Sequence, residues 1–314
     1  MNQTRLTGRD LTAALCIVMV WGTNFAAMKF ALHDFTPFQL GAARYVFAAL
    51  PLIFLVRPPK LHWKWVVTYG LVQGVGQFGL LFTALQVGMT AALASVLMQT
   101  QVFLTALFSI VLLRERVSVP LQAGLVLAAF GLLCIAMNYL APGAAGSGST
   151  PLGFLLCLMA AAMWAVSNIL VRRLQRSTPD FDVLAYMVWS SLVPVVPYIA
   201  LTLAFDAPET RWRWVAASWS SWVSIAYLGW IATILAYALW TGLLKRHPAN
   251  RVAPFSLGVP VVGLATGMIV LGEVITAWQW AGIVLVVAAL ACVVLGGRVM
   301  ERIGSSSSVK KNVR

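Results

Sequence analysis

LLRERVSVPLQAG at residues 112–124 and VLGEVITAWQWAG at 270–282 are one passage written twice. At a constant offset of 158, Glu115 falls on Glu273 and Gly124 on Gly282. Upstream, Ala84-Leu85 and Gly88 match Ala238-Leu239 and Gly242. The first apolar run of each copy pairs Trp21, Asn24 and Lys29 with Trp164, Asn168 and Arg173, allowing one residue of slippage. Pro37 and Pro179 then open the run that follows. A chain that repeats itself in this way is two copies of one structural unit.

Composition says what the unit is made for. The 314 residues are 61% hydrophobic and only 10% charged, with a mean hydropathy of +0.86. A soluble domain of that length needs far more charge on its surface, so the chain belongs in a membrane. A hydrocarbon core of ~30 Å needs about 20 apolar residues per helix. Runs of that kind are Leu11–Met28, Phe38–Val56, Trp65–Leu85, Ala91–Leu113, Leu121–Leu140, Leu152–Val171, Val183–Phe205, Trp219–Leu239, Val252–Leu271 and Trp278–Leu295. The first is too long for a cleaved signal peptide and is followed by nine more.

Each copy has five runs. An odd number forces the two copies to enter the membrane in opposite directions, which puts Glu115 inside and Glu273 outside. The expected fold is therefore an all-α integral membrane protein, with ten transmembrane helices in two inverted five-helix repeats around a central cavity. Residues 1–142 form the first repeat and 143–150 (GAAGSGST) a flexible periplasmic linker. Residues 151–297 form the second repeat and 298–314 a basic cytoplasmic tail. Inverted repeats are characteristic of secondary transporters, whose substrate site lies near the midplane between the halves.

The net charge of +13 is a topology signal. With a cytoplasmic N-terminus, 18 of the 22 Lys and Arg fall on inner segments. The other four are Lys29, Arg211 and Arg213 outside and Arg44 within a run. That is the positive-inside bias, with both termini cytoplasmic, and it leaves no basic surface for nucleic acid. Cys16, Cys134, Cys157 and Cys292 lie singly in apolar runs, and His33, His62 and His247 lie in loops. No pair has metal-ligand spacing and no catalytic cluster forms, so neither an enzyme nor a cofactor is expected.

Ten spans, two inverted halves and a glutamate after the fourth and ninth spans resemble an EamA-type member of the drug/metabolite transporter superfamily. The stretches that carry the resemblance are WGTNFAAMKFALH (21–33), AALASVLMQTQVFLTALFSIVLLRE (91–115) and NRVAPFSLGVPVVGLATGMIVLGE (250–273). They are similar to the amino-acid exporters of that family, in its cysteine/O-acetylserine and aromatic amino-acid branches. The resemblance implies export of amino acids or related metabolites across a bacterial inner membrane. It also implies structural roles for Glu115 and Glu273, capping or pairing with Arg114, Arg116 or a neighbouring helix. Small-molecule substrate and lipid are the expected partners, and the chain is expected to be a monomer or weak dimer. An efflux carrier for drugs or hydrophobic quaternary ammonium cations is the alternative, because the same aromatic lining could serve it.

Polar side chains inside a span are costly unless they are paired or face a cavity, so they mark where a substrate could sit. Trp21 and Asn24 share one helix face, as do Trp164 and Asn168. Each Asn is equally readable as glue to the next helix. Gln73 and Gln77 lie one turn apart and can meet a zwitterion without carrying charge. Tyr227, Trp230, Ile234 and Tyr237 form an aromatic stripe at a spacing near 3.5. Gln99 and Gln101 lie about 200° apart, so only one can face a cavity squarely. Ser256 stands beside Gly258 and Pro260, where a helix break would expose carbonyls. Pro194 and Pro197 allow the seventh span to bend. Arg44 is the one charge within a span; snorkelling outward, tying carbonyls and binding a carboxylate all remain open for it. No Asp, Glu or His lies at mid-membrane, so uniport or exchange stands level with proton antiport.

Overall fold

The computed structural model describes residues 7–113, 118–140, 149–247 and 249–311. Glu115, Arg114, Arg116 and most of the linker lie outside these residues. Among the described residues the regular structure is all helical, in ten successive rods joined by loops. They are α1 (Gly8–Leu32), α2 (Pro37–Ala49), α3 (Trp63–Gln86), α4 (Ala91–Leu112), α5 (Val119–Met137), α6 (Pro151–Ser177), α7 (Val183–Phe205), α8 (Trp219–Leu244), α9 (Pro254–Val270) and α10 (Ala277–Lys311). Eight are long and apolar enough to cross a membrane; α2 and α9 are shorter.

The rods start where side-chain oxygens can take the first free backbone N–H groups. Thr7 and Asp10 make a reciprocal capping box on α1, and Thr36 and Gln39 make another on α2, with Pro37 in its first turn. Thr90, Thr150, Asp182 and Ser218 cap α4, α6, α7 and α8. Apolar side chains such as Met19, Phe54, Val111, Phe130 and Ile269 point outward and stay exposed, a surface suited to lipid.

Several apolar runs are not single unbroken α-helices. The run from Phe38 to Val56 stops at Ala49, because Pro51 disfavours helix at the residue before it; only one 3₁₀ turn, Leu52–Phe54, follows. The run from Val252 to Leu271 opens with a 3₁₀ turn, Ala253–Leu257, before the α-helix Gly258–Val270. A matching 3₁₀ turn, Met98–Thr100, interrupts α4. In α7 the helix stops at Leu192 and restarts at Val195, so Pro194 sits at the bend while Pro197 falls inside the new first turns. Finally α3 and α8 each contain a π-helical stretch, Gly70–Gln77 and Tyr227–Leu235.

α5 and α10 pack side by side through Gly131 and Gly282, whose lack of side chains lets the backbones meet. The other rods surround a cavity. α1 is tied to α8 along its length: the Tyr227 hydroxyl meets Thr23 Oγ1 at 2.6 Å and Val20 O at 2.8 Å, and His247 and Arg246 hold the Asp10 carboxylate at 2.8 and 3.1 Å. α4 and α6 are tied by Asn168 Nδ2, which donates to Gln101 Oε1 at 2.7 Å and Thr105 Oγ1 at 3.1 Å, and by Arg172, which donates to Ser109 Oγ at 3.0 Å.

Candidate functional site

A cavity of about 290 Å³ lies between the rods, near the lower end of the ~300–1,000 Å³ usual for small-molecule sites. Trp21 and Asn24 reach it from α1, Arg44 from α2, Gln77 from α3 and Gln99 from α4. Trp164 and Asn168 reach it from α6, Tyr237 from α8 and Ser256 just ahead of the α-helix of α9. Residues far apart in both copies of the sequence thus meet in one chamber.

Arg44 does not snorkel. Its side chain is buried, with 2% of the residue exposed. NH2 donates to Thr233 Oγ1 at 3.1 Å, and the face of the guanidinium rests on the Phe78 ring, with Cζ 4.0 Å from the centroid. Nε and NH1 have no acceptor, and none of the ion pairs formed among the described residues involves Arg44. A cation held out of water without a counter-charge is expensive. Two acceptors in the same wall are also left open, Asn24 Oδ1 and Gln77 Oε1.

The aromatic side is built around Trp21. Its ring centroid lies 5.2 Å from that of Tyr237 and 5.6 Å from that of Trp240, and Nε1 donates to Ala232 O at 3.1 Å. Gln99 Nε2 donates to the Ser256 carbonyl at 3.3 Å, so the two 3₁₀ turns touch across the chamber. Both Gln99 and Gln101 line it. The 3₁₀ turn explains why: at three residues per turn, positions two apart are about 120° apart the short way, against about 160° in an α-helix.

Three sequence-expected residues stand elsewhere. Gln73 sits behind the chamber, in a small space with Arg44 and Thr233, and accepts from the Ser167 hydroxyl. Tyr227 is committed to α1, as described above. Trp230 faces outward, 45% exposed, beside Phe47, with Nε1 donating to Leu50 O at 2.9 Å. The wider turns of the π-helix from Tyr227 to Leu235 scatter the stripe that a 3.5 spacing would have kept on one face. Phe78 and Trp240 are lining residues that spacing alone did not single out. Each follows a flagged residue within one turn, which is the signal that could have found it.

Among the described residues the chamber opens toward one end. Through Gln101, Trp164, Asn168, Tyr237 and Trp240 it continues into a vestibule of about 850 Å³ that ends among Ser118, Arg172 and Gln175. At the other end the rods close. Gly272, at φ +64°, ends α9 and turns the chain so that Glu273 lies over the start of α4. Its two carboxylate oxygens accept from Ala91 N at 2.7 Å and Ala92 N at 2.8 Å, where an anion suits the helix N-terminus. Lys29 Nζ donates to Leu85 O at 2.8 Å. Side chains on Gly263 or Gly267 would collide with Ser95 or Ala92, so α4 and α9 are in backbone contact there. Asp34 takes hydrogen bonds from Ser218 and Ser221, which hold its carboxyl below the usual range and pin the end of α1 to the start of α8.

The model of the EamA-like transporter family matches residues 10–137 and again residues 151–295. A protein of Salmonella typhimurium strain LT2 described as a probable amino-acid metabolite efflux pump is 38% identical over 295 residues, covering 94% of this chain and 97% of its own. A protein of Escherichia coli strain K12 with the same description is 36% identical over 294 residues, covering 93% and 97%. A solved crystal structure with 19% identity superposes with a TM-score of 0.59, covering 91% of this chain and 97% of its own, a likeness of fold.

Proposed function

The chain belongs to the EamA-like transporter family, and from that membership we propose that it exports amino acids and related metabolites across a bacterial inner membrane by alternating access. It is a transporter, not an enzyme, and a multi-pass membrane protein. The observation that carries the finer reading is the single chamber walled by residues of both halves, open at one end and sealed at the other. In this proposal all ten rods count as spans, α2 and α9 included, and residues 1–142 and 151–297 are the inverted halves joined by a periplasmic linker. The falling of one family match on each half supports that division. The charge bias supports cytoplasmic termini. The vestibule that ends at Arg172 then opens to the cytoplasm, and the seal at Glu273 faces the periplasm.

The substrate class rests on two supports: the description of the two bacterial relatives, and a chamber of one-metabolite size with aromatic walls and hydrogen-bonding ends. A carrier for organic cations fits less well, because Arg44 places positive charge in the wall with no carboxylate beside it. Purified protein in liposomes, loaded with a panel of neutral amino acids and tested for exchange, gives the check. Exchange of amino acids with tetraethylammonium inert is the expected result. Transport of tetraethylammonium alone would overturn the assignment. Repeating the assay across a pH gradient separates proton antiport from exchange.

A further inference from the structure

We propose that the chamber reads the two charged ends of an α-amino acid separately, with Arg44 as the anchor for the free carboxylate and the Asn24 and Gln77 side-chain oxygens as the seat of the ammonium. The inference rests on the amino-acid reading above and specifies how the same site chooses its substrates.

Three residues that line the chamber, Asn24, Arg44 and Gln77, carry four buried side-chain atoms without partners, and these fall into two kinds. Arg44 Nε and NH1 are donors on a permanent cation. Asn24 Oδ1 and Gln77 Oε1 are acceptors on neutral amides. The three residues are more than nine-tenths buried, at 2%, 8% and 3% exposure. Burying such atoms unpaired is unfavourable, and a ligand that supplies the missing partners recovers the loss. A zwitterion supplies both: an anion for the guanidinium, and an N–H-rich cation for the amide oxygens. A simple amine leaves Arg44 unmatched, and a simple carboxylic acid leaves the two oxygens unmatched. The ring faces of Trp21 and Tyr237 reinforce the ammonium end or take an apolar side chain.

Each end of this device is held by one of the two π-helical stretches. Arg44 is fixed by Thr233, whose hydroxyl also donates to Leu228 O at 2.8 Å across the π-turn of α8. Gln77 is the last residue of the π-turn in α3. Phe78, the next residue, is the one whose ring covers the guanidinium face. A ligand that grips both ends therefore bridges α3 of one half and, through Arg44, α8 of the other. Occupancy and the relative position of the halves become linked through the same contacts.

The test is competition in the liposome exchange assay, with L-leucine and L-phenylalanine against leucinamide, phenylalaninamide and isopentylamine. For the wild-type protein, the free amino acids are expected to compete at concentrations at least about tenfold below those of the amides or the amine, the scale of a lost charge-assisted hydrogen bond. Arg44→Gln is expected to weaken the amino acids by at least tenfold while leaving the amides nearly unchanged, so that the preference collapses toward one. Arg44→Lys, which keeps the charge, is expected to retain part of it. Amides competing as well as amino acids on the wild-type protein would overturn the carboxylate anchor, and that measurement needs no variant. An Arg44→Gln protein that keeps the wild-type preference would overturn it too. Failure of every amino acid to exchange on the wild-type protein would instead sink the functional reading and take this inference with it.

Discussion

The two ends of the bundle are built from corresponding parts of a repeated sequence, yet they do opposite things. At the Glu273 end, α4 and α9 touch through Ala92, Ser95, Gly263 and Gly267, and a carboxylate sits on the first N–H groups of α4. At the Arg172 end, the later part of α4 leans on α6 through Asn168 and Ser109, and a vestibule of about 850 Å³ remains between α6 and α8. Closure thus depends on small residues that allow backbone contact and on one well-placed charge. Openness follows where α4 leaves α9 and is tied instead by polar bonds to α6.

The largest effect is expected from a wedge in the seal. Gly263→Leu puts a side chain where Ser95 already stands, and overpacking of that kind costs about 1–3 kcal/mol or more. Exchange in liposomes should fall by at least about tenfold, while a cysteine placed at Ala91, buried beneath Glu273, reacts faster with an impermeant maleimide. Glu273→Ala comes next. It removes two charge-assisted hydrogen bonds at a helix N-terminus, on the order of 2 kcal/mol against the closed end. The same labelling should rise with the chamber still intact, and Glu273→Gln should fall between. On the opposite side, Asn168→Ala frees α4 from α6 and is expected to lower the thermal midpoint in detergent through loss of about 1–2 kcal/mol, with a weaker effect on exchange.

Two smaller expectations sharpen the contrast. The Asp34 carboxyl is held below its usual range by Ser218 first, through its side chain and backbone, with His33 and Ser221 adding to it. A depressed folded value means the stabilising effect is complete above the ordinary carboxylate value near 4 and fades as pH falls through the folded one. The melting temperature should therefore drop on acidification below about pH 4, and Asp34→Asn should flatten that part of the curve. Trp230→Ala, outside the chamber and facing away from it, should leave exchange within about twofold of wild type.

The legible part of this molecule is what composition and repetition record. Apolar runs placed eight long helices, and the polar residues within them, Asn24, Gln77, Gln99 and Asn168, line the chamber, with Asn168 also serving as glue between α6 and α4. Arg44 stood out for the same reason, though only packing shows that it turns inward. Less legible was whatever depends on a local change of backbone pitch. Neither π-stretch has a proline to announce it, and its effect is to carry Trp230 off the stripe that Tyr237 keeps. The 3₁₀ turn at Met98–Thr100 likewise brings both Gln99 and Gln101 into a wall that α-helical geometry left room for only one of them to face squarely. The early end of α2 at Ala49 follows from Pro51, inside a run whose apolar length alone spans Phe38–Val56.

The most direct measurement is a pair of distances taken on the same protein in lipid, by spin labels in a cysteine-free background. One pair, Gln175 with Leu244, spans the vestibule; the other, Gln86 with Val274, spans the sealed end. Alternating access requires that added amino acid shift populations so that the first distance shortens while the second lengthens. Two distances that stay fixed with substrate, or that open and close together, would contradict it.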